Sequence, residues 1–171
     1  MYLFITSTTY AQRLPGDERG FVSKTYDGLH NQYGEDIDAD IPRLKNHVER
    51  HLKSKPILLN GEQAKVLFEQ FQETVAHRHW TLYGVAIMPN HVHILLETSD
   101  DTEPEKAAGT LKSYGSRRLN AIFGRPESGT WWTDGSSTPR KTADAIPDLI
   151  RYIKNQRNAL LVWIGPKYDV E

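Results

Sequence analysis

The sequence predicts an α+β fold, an antiparallel β-sheet flanked by α-helices, and three observations predict it. Trp80 to Thr98 reads as two strands joined at Pro89-Asn90, a tight hairpin connection. Apolar residues recur at helical spacing in four other segments. Strands lead and helices follow without regular βαβ alternation, which favours an antiparallel sheet over a doubly wound one. A chain of 171 residues holds one domain with a full core and is short for two, so residues 1–171 are expected to form a single domain.

Taken in order, Tyr2 to Thr9 alternates with β-favouring residues and reads as the first strand. A loop follows at Leu14-Pro15-Gly16-Asp17-Glu18-Arg19-Gly20, and Phe21 to Asp40 has no clear period. Ile41, Leu44, Val48 and Leu52 predict a helix over Ile41 to Lys53, with Pro42 in its first turn. Asn60, with Gln63 three residues on, has capping-box spacing and starts a second helix running to about Arg78. Its stripe of Ala64, Leu67, Phe68, Phe71 and Val75 would cover one sheet face. The hairpin of Trp80 to Met88 and His91 to Thr98 forms the centre of the sheet. A helix over Glu105 to Phe123 would bury Ala108, Leu111, Leu119 and Ile122. After a Gly-, Ser-, Thr- and Trp-rich loop from Gly124 to Thr142, a last helix from Ala143 to Trp163 would bury Ile146, Leu149, Ile150, Ile153 and Leu160.

Composition narrows the class. Hydrophobic residues make up 38% and charged residues 25%, as in soluble globular proteins. No apolar run approaches the roughly 18 residues of a membrane span, and Met1 to Ile5 lacks the pattern of a secretory signal, so a cytoplasmic protein is expected. Without cysteine there is neither a disulfide scaffold nor a thiolate metal site. The net charge of −1 argues against a generic duplex-DNA binder. Yet Lys106 to Arg125 carries five cations and no acid, offset by acidic residues between Glu35 and Asp40.

Chemistry concentrates in Met88-Pro89-Asn90-His91-Val92-His93-Ile94-Leu95-Leu96. On a strand His91 and His93 project from one face while Val92, Ile94 and Leu96 project from the other. Their imidazoles start roughly 6–7 Å apart, close enough to reach one divalent ion. Imidazole is a common transition-metal ligand and also suits Mn²⁺ or Mg²⁺ when carboxamides and phosphates complete the shell. Tyr114 is the candidate nucleophile: it lies at the edge of its helix's apolar stripe, about 60° from Leu111, near Arg117 and Arg118. A phenol is a weak nucleophile at neutral pH, but a metal that polarises the phosphate and guanidinium groups that stabilise the developing charge make it useful. Lys112, Arg117, Arg118 and Arg19 are candidate phosphate contacts, and Trp131 and Trp132 could stack on unpaired bases. Arg13 could contact phosphate but reads by default as a solvated loop cation, the pair His47/His51 reads as surface, and His77 and His79 belong to the end of a helix.

Met-Pro-Asn-His-Val-His-Ile-Leu-Leu-Glu, followed by Leu111-Lys112-Ser113-Tyr114 and Arg117-Arg118-Leu119, resembles the single-tyrosine HUH transposases. These comprise small insertion-sequence transposases and REP-associated tyrosine transposases. The resemblance extends to Thr8-Thr9-Tyr10, Leu14 to Gly20, Trp131-Trp132-Thr133-Asp134-Gly135-Ser136, and Tyr152-Ile153. It implies an HUH-nuclease architecture of ferredoxin-like or RRM-like type, with the histidine pair on a central strand and the tyrosine on a helix across that face. It implies a metal-dependent single-stranded DNA endonuclease and strand transferase acting on hairpin-containing DNA, as a monomer or homodimer. By that resemblance His91 and His93 bind Mg²⁺ or Mn²⁺. Tyr114 attacks the phosphate, leaving a 5′-phosphotyrosine and a free 3′-hydroxyl, with no nucleotide cofactor.

Many members of the family carry Gln or Asn as a metal ligand one helical turn after the tyrosine. Arg118 stands there and has no lone pair to offer, and Asn120 points about 180° from Leu111, so the third protein ligand is unassigned. Two other classes compete. A domesticated, cleavage-inactive binder of structured single-stranded DNA would account for Arg118 and the near-neutral charge. A histidine-triad nucleotide hydrolase would need a histidine where this chain has Leu95.

Overall fold

The computed structural model describes residues 1–12, 50 and 52–168. The strands are β1 (Tyr2–Thr8), β2 (Thr81–Ile87), β3 (His91–Glu97), β4 (Arg140–Lys141) and β5 (Leu161–Ile164), and the helices are α1 (Gly61–His77), α2 (Pro104–Phe123) and α3 (Ile146–Lys154). The strands form one sheet in the order β4-β1-β3-β2-β5, every pairing antiparallel, so the fold is α+β. No described helix is long and apolar enough to cross a membrane. The Leu14 to Gly20 loop, the Phe21 to Asp40 stretch, Arg13, Arg19, His47, His51 and most of the Ile41 to Lys53 helix lie outside the described residues.

Local chemistry explains the boundaries. The Asn60 side chain accepts from Gln63 N at 2.9 Å and the Gln63 side chain accepts from Asn60 N at 3.0 Å, satisfying two amides that α1 leaves without helical partners. α2 begins with Pro104, whose missing N–H costs nothing in a first turn. Strand alternation sorts the sheet residues into two layers. Leu3, Ile5, Val85, Ile87, Val92, Ile94 and Leu96 form one core with α1 and α2, which supplies Ala107, Ala108, Leu111 and Leu119. Ala86 and Leu95 form a second with Ile146, Ile150 and Ile153 of α3 and Ile164 of β5. Two glycines set the approach of the helices. A Cβ on Gly115 would lie 2.6 Å from Leu67 Cδ1 where α2 meets α1, and one on Gly84 would lie 3.0 Å from Ile153 Cδ1 beneath α3.

Two expectations change. The last helix ends at Lys154, not Trp163, and Leu161–Ile164 is the edge strand β5. Leu160 keeps the helical phase of Ile153, which disguises the break, but Asn158 turns the chain with φ of 61° and the β-favouring Leu161-Val162-Trp163-Ile164 pairs with β2. Ile122 is 50% exposed rather than buried, because α2 outruns the core in its last turn.

Candidate functional site

Both histidines leave β3 on the face that α3 only partly covers. Their rings meet edge to face with centroids 4.8 Å apart, His93 buried and His91 half-buried. β1 supplies the neighbours by register: Thr8 opposes His91 and Thr6 opposes His93. Thr6 Oγ1 lies 2.8 Å from His93 Nδ1, and Asn90 Oδ1 lies 2.6 Å from His91 Nδ1. Phe4 stacks on His93 at 5.3 Å between centroids. Burial, aided by the His91 charge, lowers the pKa of His93 to about 4, so its ring is neutral near pH 7.

Tyr152 of α3 completes the cluster. Its ring packs edge-on against Phe4 and His93, and its hydroxyl lies 3.4 Å from His93 Nε2, while the residue is 48% exposed. Four residues on, Gln156 follows the end of α3 and donates from Nε2 to the Tyr152 carbonyl at 3.1 Å. Among the described residues no three His, Cys, Asp or Glu side chains gather into a metal-binding group.

The structure does not bring Tyr114 to the histidines. α2 packs on the opposite face, over Val92, Ile94 and Leu96, and Tyr114 lines a cleft of about 920 Å³ with Arg78, Trp80 and Arg117. The Arg117 guanidinium sits 5.1 Å from the Tyr114 ring centroid. Other expected DNA contacts also turn out differently. Trp131 and Trp132 are 5% and 4% exposed, with indole N–H groups donating to Asn120 Oδ1 (2.8 Å) and to Ser116 Oγ (3.0 Å) and the Lys112 carbonyl (3.2 Å), so they are core residues. Lys112 Nζ donates to the carbonyls of Thr133 and Gly135 at 2.8 Å each, pinning that loop to α2. Arg118 is exposed on α2, and Arg19 lies outside the described residues. The signal for Tyr152 was present: Gln156 follows it at the i+4 spacing that Arg118 breaks after Tyr114.

The antiparallel α+β sheet is an architecture that this chain shares with a solved structure. Residues 40–156, more than half of the chain, match the family described as Transposase IS200 like. The chain belongs to the IS200-like transposase family, which supports a transposase role with DNA as partner. The crystal structure of a provisionally assigned transposase from Deinococcus radiodurans R1 has the same fold, with a TM-score of 0.51, 16% identity, and coverage of 91% of this chain and 90% of that one. A comparison with curated proteins finds no match.

Proposed function

We propose that the protein cleaves and rejoins single-stranded DNA through Tyr152, with His91, His93 and Gln156 as ligands of Mg²⁺ or Mn²⁺. The observation that carries this reading is the Tyr152 hydroxyl, 3.4 Å from His93 Nε2 on a residue that is half exposed. The donor set would suit a small divalent cation: two imidazoles, one of them held neutral, and the Gln156 carboxamide, assigned by its i+4 spacing from Tyr152. When bound, the cation supplies charge neutralisation at the scissile phosphate.

The chain's own residues do the rest. Tyr152 Oη forms a bond to phosphorus, the phenolic proton leaves, and the P–O3′ bond breaks. The departing 3′-oxygen takes a proton, and the 5′ end remains as a phosphotyrosine. A 3′-hydroxyl attacking that ester reverses the step and regenerates the phenol. One phosphodiester is exchanged for another, so strand joining needs no nucleotide cofactor. Phe4 and His93 restrict the swing of the Tyr152 ring, which keeps its oxygen near the reacting phosphate.

The test is incubation of the full chain with hairpin-containing single-stranded DNA and Mn²⁺, followed by denaturing electrophoresis. Wild type and Tyr114→Phe should form a covalent DNA adduct, and Tyr152→Phe should form none. An adduct that survives Tyr152→Phe overturns the assignment. Salt-dependent binding without adduct under any metal would favour the cleavage-inactive binder.

A further inference from the structure

We propose that Thr6 and Asn90 are positioning residues, each accepting the Nδ1–H of one imidazole so that both histidines carry their lone pair on Nε2. The consequence for metal rests on the reading above; the ring orientation does not. Asn90 Oδ1 is 2.6 Å from His91 Nδ1, and an amide oxygen only accepts, so Nδ1 carries the proton and Nε2 the lone pair. Thr6 Oγ1 is 2.8 Å from His93 Nδ1. On the far side of that ring the Tyr152 hydroxyl faces Nε2 at 3.4 Å, where a phenol donates to a lone pair. The arrangement closes with the Nδ1 proton directed at Thr6.

Neither anchor stands on flexible chain. Thr6 lies directly opposite His93 in the β1–β3 ladder, so the sheet sets the distance between hydroxyl and ring. Asn90 sits in the hairpin connection, and its carbonyl accepts from both Thr9 N (3.0 Å) and Thr9 Oγ1 (3.1 Å), tying the turn to the end of β1. Phe4 stacked on the face of His93 holds the plane while Thr6 holds the edge. Groups that fix the second nitrogen of a ligating histidine select its tautomer, and losing one typically costs about 10–100-fold in metal affinity.

The experiment uses the full chain, with two readouts. Long-range ¹H–¹⁵N spectra of the metal-free protein report the tautomer of each histidine, and electron paramagnetic resonance of free Mn²⁺ reports affinity. Wild type should show both rings protonated at Nδ1. Thr6→Val should redistribute the His93 proton, leave His91 unchanged and weaken Mn²⁺ binding by about 10–100-fold, with Thr6→Ser restoring both. Asn90→Ala should do the same to His91. A wild-type His93 protonated at Nε2, or a Thr6→Val that keeps both tautomer and affinity, overturns the proposal. Correct tautomers without Mn²⁺ affinity uphold the ring positioning and overturn the metal reading instead.

Discussion

On one face of the sheet, Leu3, Ile5, Val85, Ile87, Val92, Ile94 and Leu96 are each at most 1% exposed beneath α1 and α2. On the other, Thr6, Thr8 and His91 stay half-exposed and Tyr152 is 48% exposed. Helix length accounts for much of the contrast. The 20 residues of α2 span about 30 Å and roof the full length of a seven-residue strand, whereas the nine residues of α3 span about 13 Å. α3 packs over β2, β5 and part of β3, covering Gly84, Ala86 and Leu95, and leaves Thr6, Thr8 and His91 half-exposed, with Tyr152 at the margin. One face is closed by packing and the other leaves His91 and Tyr152 partly exposed, and the residues that read as catalytic on α2 lie on the closed face.

The sharpest way to break that division is to damage the closed face and watch the open one. Phe71 of α1 is 1% exposed, and Phe71→Ala should destabilise the protein by about 3–5 kcal/mol, read as a lower urea midpoint. DNA adduct formation per folded molecule should stay at the wild-type level. If it falls to the level of Tyr152→Phe, the two faces are not independent.

A smaller effect sharpens the open face. Burial holds the pKa of His93 near about 4, below the ordinary 6.5. Between those values the unfolded chain binds a proton that the folded chain refuses. The stability of the metal-free protein should therefore rise with pH through this window and decline as the pH falls through 6.5. At pH 5 the loss relative to neutral pH is about 2 kcal/mol, and His93→Gln should flatten it. Urea midpoints at pH 5 and 7 decide the matter, and equal wild-type slopes in the variant would place the titration elsewhere.

The sequence carried the fold because its strongest signals are local. Alternation through His91 to Leu96 assigns each side chain to a face, and the Asn60/Gln63 pair marks where α1 begins. Between Tyr114 and Tyr152 the only local signal was the Gln156 spacing, and which sheet face each helix covers is not a local property. A helical wheel tells which side of α2 is apolar, not which face of the sheet receives it. Residues 132–141 return along β1 at the sheet edge, bonded to it at Thr9, Thr6 and Leu3, before the chain forms α3 on the histidine face. The tryptophans misled for a related reason: within a Gly- and Ser-rich segment they look exposed, and the acceptors that bury them, Asn120 and Ser116, lie on α2.

Lys112 gives the smallest effect and the finest discrimination, because its charge and position suit two opposite roles. As a phosphate contact it would contribute to DNA affinity, and its removal would lower the salt slope of single-strand binding by about 0.7. As an anchor it satisfies two backbone carbonyls, and Lys112→Met keeps the aliphatic stem while deleting both bonds, at a cost of about 1–2 kcal/mol. The geometry predicts the second outcome: a lower urea midpoint and an unchanged salt slope. Arg118→Ala, which removes an exposed cation from the same helix, should leave the midpoint nearly where it was. If Lys112→Met instead changes the slope and spares the midpoint, the loop at Thr133 to Gly135 is held by something other than this lysine, and the closed side of the molecule takes part in binding DNA.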